Sequence, residues 1–434
     1  MEKPYHSKHI FANRENGLPW EGSRPGGENM LNLEAIANWR VDATVKGFPG
    51  TAEPGPLSGI GARGWNVLRG DLPFPVAVLK VQALDHNRRW MKRFLAAARV
   101  GIAPHGKTTM APQIFAWQIE DGAWGMTCAT VAQLQVYRAA GVTRVLMANQ
   151  IAGRANIAFV ARELSRDPAF ELYALVDSPE GARYLAEGLR ASGATRPLNV
   201  LIEMGDPAGR TGAVSLAAAL ETAREIAAHP GELALAGVEG YEAAGVPLAP
   251  PEALARAERI LAGIVETART LDNAGLFRTG EVILTAGGSE FFDLVAKRLA
   301  NIGLSVPARA IIRSGCYLTH DDGLYRASFE GIRARGLFDG VSQEGLIPAL
   351  EIWTAVQSRP EPARAFLCAG KRDVSHDAGM PVAKRWYREG LHAAPVDMLA
   401  GHAIARLNDQ HAYLDTPADT PLKIGDLVGL GISH

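Results

Sequence analysis

The sequence is poor in the features that would place it outside an ordinary soluble fold. It holds three cysteines, Cys128, Cys316 and Cys368. They are odd in number and far apart, so neither a disulfide framework nor a paired-cysteine metal knuckle follows, and a reducing compartment is the simpler expectation. The formal net charge of −1 excludes a broad basic surface for nucleic acid or an anionic membrane, though not a small basic pocket. No uninterrupted apolar run is long enough to span a bilayer. The opening residues, MEKPYHSKHIFANRENGLPW, lack the apolar core of a signal peptide, and a cytoplasmic protein is expected. Internal repeats and low-complexity tracts are missing too.

What is present is material for a large core. The 434 residues are 47% apolar and 21% charged, enough for one large domain or two ordinary ones. Residues 1–70 are rich in Gly and Pro, with one helix expected at 31–40. From 76 onward short β-rich runs alternate with helical stretches: VAVLKVQAL (76–84), VGIAPHG (100–106), GMTCAT (125–130), RVLMAN (144–149), ELYALVD (171–177), LNVLIEMG (198–205), ELALAGVEGY (232–241) and EVILTAGG (281–288). Helical spacing fills the gaps, as in 213–229 and 251–271. About eight strand–helix units result, the number that closes a (β/α)8 barrel. A doubly wound open sheet is the alternative, because periodicity alone does not show closure. After about residue 305 the alternation stops. Runs such as ALEIWTAVQSRP and ARAFLCAG, and the Gly-Asp turn of LKIGDLVGLGIS (422–433), read as a C-terminal β domain with a closing strand pair. The expected organisation is an extension over 1–70 that helps to cover this β domain, a barrel over 71–305 and the β domain over 306–434.

In a parallel barrel, functional groups come from the C-terminal ends of the strands. Polar residues recur there: His105, Gly106 and Lys107; Asn149 and Gln150; Glu203, Asp206 and Arg210; Glu239 and Tyr241; Thr285, Gly287, Gly288 and Ser289. The Gly-Gly-Ser turn reads either as bare N–H groups opening a helix for a phosphate or as a tight turn with a serine cap. Lys107, in GIAPHGKTTMAP (101–112), stands among small and hydroxylated residues after a buried strand. An ordinary lysine stays in water; a partly desolvated one has a lowered pKa and serves as nucleophile or base. Lysine and phosphate cradle in one barrel mouth point to pyridoxal 5′-phosphate (PLP), with Lys107 forming the Schiff base.

The motifs PHGKT, EMGDPAGRTG, EGYEA, TAGGS, RSGCY and NDQHAYL…GDLVGLGISH follow one another in order. Together they resemble the D-threonine aldolase/D-serine dehydratase family, the fold-type III PLP enzymes with an alanine-racemase-like barrel, over about residues 70–434. The amino-acid deaminase branch, with its extra N-terminal segment, is the nearest in pattern. The resemblance implies a PLP-binding (β/α)8 barrel with a C-terminal β domain, a D-configured β-hydroxy amino acid as substrate, and a homodimer. Arg210 would face the cofactor's phenolic oxygen and Tyr241 its pyridine nitrogen. Gly287, Gly288 and Ser289, with Gly315 and Cys316, would hold the phosphate. Thr285 lies in the same cofactor-binding group, and His105 would shape the pocket. A divalent metal (Zn, Mn or Mg) is implied on a His and, two residues later, a Cys or Asp. The sequence stops at His434, which matches the first ligand, so an incomplete metal site or a truncated chain is expected. His411 is a further acid/base candidate, with a packed strand histidine as the plain alternative. The reactions implied are dehydration of a D-serine-type substrate to a 2-oxo acid and ammonia, or aldol cleavage of a D-threonine or D-3-hydroxyaspartate type. A PLP-binding protein without turnover is the third reading.

Overall fold

A computed structural model describes residues 31–207, 209–243, 250–338, 341 and 344–434. The first 30 residues of the expected extension, including the stretch read for a leader, lie outside the described residues. Among the described residues no helix is long and apolar enough to cross a membrane.

Eight parallel strands form the larger unit. Counting in chain order from β1 (Val76–Leu79), they are β2 (Gly101–Ile102), β3 (Met126–Cys128), β4 (Arg144–Gln150), β5 (Glu171–Val176), β6 (Leu198–Met204), β7 (Leu233–Gly240), β8 (Val282–Ala286) and β9 (Ala308–Ile312). They are hydrogen-bonded in the order β2-β9-β8-β7-β6-β5-β4-β3. The two edges meet through a parallel bridge between His105 and Thr127, with Thr127 N–H donating to the Pro104 carbonyl at 2.9 Å, and this seam closes the barrel. The open-sheet alternative is thereby set aside. β7 and β8 are buried along their whole length. Helices cover them outside and other strands' side chains fill the inside, which is why these runs are nearly continuous in apolar residues. Leu146, Tyr173, Leu175, Leu201, Ile283 and Ile311 pack together as the barrel's inner cluster.

The second unit is antiparallel. Its strands are β10 (Leu350–Glu361), β11 (Arg364–Leu367), β12 (Val382–Tyr387), β13 (Val396–Asp397), β14 (Ala403–Leu407), β15 (Ala412–Asp415) and β16 (Leu427–Gly431), in the order β13-β12-β16-β10-β11-β15-β14. β1 adds to this sheet, pairing Val76–Leu79 with Leu350–Trp353.

Three expectations change here. The count of eight barrel strands holds, but its membership shifts: β1 belongs to the β domain, and β9 is the eighth barrel strand. The boundary at 305/306 therefore falls too early. The helix Leu324–Arg335 also packs on the barrel side, through Phe329 and Ile332. The third change is at 422–433, which holds one strand rather than a pair, because Gly425, at φ +92°, turns the chain immediately before it. Within the described part of the extension, Leu31 packs on the barrel core and Asn32 N–H donates to the Ala140 carbonyl at 2.8 Å, while later residues meet the β domain. Val67, Leu72 and Val78 share a cluster with Trp353 and Leu427, and Lys46 pairs with Asp373.

Candidate active site

The Lys107 turn is built from the close-packed floor outward. Residues Gly106–Thr108 form one 3-10 turn, and His105 Nδ1 accepts the Lys107 N–H at 3.4 Å. A side chain at Gly106 would place its Cβ 2.2 Å from Tyr137 Oη, so only glycine fits between this turn and the buried Tyr137. The turn lies face to face with the chain leaving β9. A Cβ at Gly315 would come within 2.2 Å of the His105 carbonyl oxygen, and Thr108 Oγ1 stands 3.5 Å from Cys316 Sγ. The turn carrying Lys107 therefore lies beside Gly315 and Cys316.

Lys107 is exposed at the mouth by surface area. The surrounding walls nonetheless displace enough water to lower its pKa, and the cations Arg210 and Arg313 lower it further, against an opposing pull from Cys316. Desolvation takes the His105 imidazole down to about 3, with Lys107 and Arg313 adding to the shift, so it is neutral at physiological pH. Burial likewise raises the Cys316 thiol. The Arg210 guanidinium lies over the Tyr241 ring at 5.4 Å, and burial pushes the Tyr241 phenol up to about 12.

The loop after β8 reaches the same mouth. Ser314 Oγ donates to the Gly288 carbonyl at 2.8 Å, joining it to the loop after β9. The Gly-Gly-Ser segment does not open a helix, and Ser289 is not its cap. The helix is Phe292–Leu299, with Phe291 at its N-cap position and no side-chain cap. Its start is set by Phe292, which packs on Phe94 at 4.9 Å and on Trp90 at 6.0 Å. Among the described residues, the N–H groups of Gly287, Ser289, Gly315 and Cys316 have no protein acceptor. The Gly288 N–H is different: Glu242 Oε1 accepts it at 2.8 Å.

Beneath the mouth lies a buried ion pair absent from the expectations. Arg313, 3% exposed, pairs with Glu239, 1% exposed. Arg313 also donates to Thr285 Oγ1 and to the Gly240 carbonyl, each at 3.2 Å. Thr285 therefore lies under the mouth as a holder of Arg313. Glu203 is held beside this pair by Gln150 Nε2 at 2.6 Å and Thr211 Oγ1 at 2.8 Å. Asn149 bonds the Ala129 carbonyl, and Asp206 pairs with Arg259.

Tyr325 Oη stands 3.1 Å from His434 Nε2. Asp321 faces His434 electrostatically, as does Asp377. Among the described residues no group of three or more His, Cys, Asp or Glu stands together as a metal-ligand set. His411 does not join the site within the subunit. It is exposed in the turn between β14 and β15, and β15 is three places from β16 in the sheet. Exposure in this turn sets aside the strand-packed alternative for His411.

Three side chains of the site were not singled out from the sequence. Arg313 follows an apolar run, ARAII, and that break from apolar to basic at a strand end was a usable signal. Glu242 and Tyr325 carried none, since each depends on a loop or helix distant in sequence.

The chain is similar to known proteins over most of its length. A family model described as a putative serine dehydratase domain matches residues 349–434. A D-threo-3-hydroxyaspartate dehydratase from Delftia sp. is 30% identical over 264 residues, covering 55% of this chain and 68% of that protein. A D-threonine aldolase from Arthrobacter sp. is 26% identical over 364 residues, covering 83% of this chain and 85% of that one. The crystal structure of D-threonine aldolase from Filomicrobium marinum superposes with a TM-score of 0.66 at 24% identity, covering 84% and 88% of the two chains.

Proposed function

Because the chain belongs to the D-threonine aldolase/D-serine dehydratase family of fold-type III PLP enzymes, we propose that it is a PLP-dependent lyase of D-β-hydroxy amino acids. Its reaction, on this reading, is dehydration of a D-serine-type substrate to a 2-oxo acid and ammonia. The observation that carries it is the convergence of Lys107, Arg210 and Arg313 with the acceptor-free N–H groups of Gly287, Ser289, Gly315 and Cys316. That donor set fits a phosphorylated pyridine aldehyde: an amine for the carbonyl, cations for a phenolate, and backbone N–H groups for a phosphate.

When bound, PLP supplies the electrophilic carbonyl and the ring that accepts electrons from a bond broken at the substrate's Cα. The rest falls to the chain. Lys107 Nζ, with its pKa lowered, has a larger neutral fraction at physiological pH than a solvated lysine, which serves both nucleophilic attack and removal of a proton from Cα. Neutral His105 fixes the Lys107 peptide through Nδ1 without adding a third cation beside Lys107. Arg210 and Tyr241 form one stacked wall, with the guanidinium free to meet an anionic oxygen and the phenol kept protonated. On this reading Tyr325 Oη, 3.1 Å from His434 Nε2, would hand a proton to a departing hydroxyl and His434 would replace it.

The similarity to an aldolase over most of the chain favours aldol cleavage as the second reading. One substrate separates the two. Incubation with D-threonine, PLP and a divalent metal is expected to yield ammonia and 2-oxobutanoate. Glycine and acetaldehyde in their place would replace dehydration with aldol cleavage. Neither pair of products, from protein that binds PLP, would leave a cofactor-binding protein without this turnover.

A further inference from the structure

Glu242 follows Tyr241 at the end of β7 and is 1% exposed. Its Oε1 accepts the Gly288 N–H at 2.8 Å, while its Oε2 is buried with no partner. With Ser314 holding the Gly288 carbonyl, the central residue of the loop after β8 is gripped by protein groups on both sides. A carboxylate is an unexpected grip for a loop whose neighbouring N–H groups face an anion-binding mouth. An ionised Glu242 would set a like charge beside a phosphate and leave one oxygen buried and unsatisfied.

The groups facing Glu242 are few. Arg313, at the end of β9, favours its ionised form. Glu290, on the Gly288 loop, opposes it. Glu239, lower on the same chain, feels the Glu242 charge as repulsion, as does Tyr241 beside it. Burial is the largest influence and raises the Glu242 pKa. A neutral carboxylic acid removes the like charge and still accepts from Gly288 through its carbonyl, leaving a buried hydroxyl in place of a buried anionic oxygen.

We propose that Glu242 is a positioning residue for the phosphate loop, acting as a neutral carboxylic acid whose carbonyl fixes the Gly288 amide without setting a negative charge beside a bound phosphate. The inference rests on the PLP reading above and deepens it by tying cofactor retention to pH. The sign follows from linkage. The bound state favours protonated Glu242, so affinity for the phosphate is highest at low pH and falls as the free protein's Glu242 loses its proton.

The test is a titration of cofactor-stripped wild type, E242Q and E242A with PLP and, separately, with pyridoxal, across neutral and alkaline pH. Pyridoxal shares the aldehyde but lacks the phosphate, so the ratio of the two affinities cancels the titration of Lys107. In wild type the ratio is expected to fall by up to about tenfold per pH unit once Glu242 ionises. E242Q, permanently neutral with one acceptor and one donor, is expected to keep the wild-type ratio at neutral pH within about threefold and to lose less on the alkaline side. E242A, without the grip, is expected to lose about tenfold or more at every pH. If E242Q falls together with E242A, the negative charge is what matters and the proposal is overturned. Identical ratios in all three proteins overturn it as well. Failure of the PLP reading gives a different result: wild type would bind PLP no more tightly than Lys107→Ala, and both readings would go.

Discussion

Lys107→Ala should abolish the visible absorbance of the PLP-loaded protein and reduce turnover by about a thousandfold or more, since it removes the amine assigned to the cofactor's carbonyl. The loss should be chemical rather than structural. Lys107 is exposed, and the turn that carries it is held by its neighbours: Gly106 against Tyr137, and His105 N–H to the Arg313 carbonyl at 3.1 Å. The denaturation midpoint should therefore shift by no more than about 0.5 kcal/mol equivalent, as for an ordinary surface change. Absorbance spectra, product assays and a urea melt on the same preparation check all three parts. An unchanged, borohydride-sensitive band in the variant would remove Lys107 from its assigned role.

Arg313→Met should produce the largest loss of stability. It leaves Glu239 buried with Oε2 already unpartnered, and with Glu203 and Glu242 close enough to repel its charge. Removing one partner of a buried ion pair costs about 3–5 kcal/mol, because the other charge stays out of water. Thr285 Oγ1 and the Gly240 carbonyl lose a donor in the same step. The double variant Arg313→Met with Glu239→Gln should recover a substantial part of the loss, because no charge is then stranded. Urea denaturation of the wild type, both single variants and the double variant reads the coupling directly. A single Arg313→Met as stable as wild type would mean that the pair does not hold the barrel top together.

The legible part of the site was the part written locally. Lys107, Arg210, Tyr241, Gly287, Gly288, Gly315 and Cys316 all end or follow barrel strands, where an abrupt change from apolar to polar or small residues is visible in one dimension. Their convergence was readable because a barrel brings all strand ends to one face. The Arg313–Glu239 pair and the Tyr325–His434 contact were not legible as pairs, since each joins residues from separate elements, although Arg313 and Glu239 each stand at a strand end. The helix expected at Gly-Gly-Ser failed for a related reason: burial of Phe292 against Phe94 and Trp90 fixes where that helix begins. Among the strands, 76–79 and 308–312 are short apolar runs of the same texture. Only pairing with Leu350–Trp353 in one case, and with β2 and β8 in the other, assigns each to its sheet.

The central claim is that Lys107 is the residue joined to the cofactor. It is tested most directly by loading the protein with PLP, reducing with borohydride, digesting and mapping the modified peptide by mass spectrometry. The expected result is a single phosphopyridoxyl group on the peptide containing Lys107. A modification confined to another lysine, or none at all, would contradict the account.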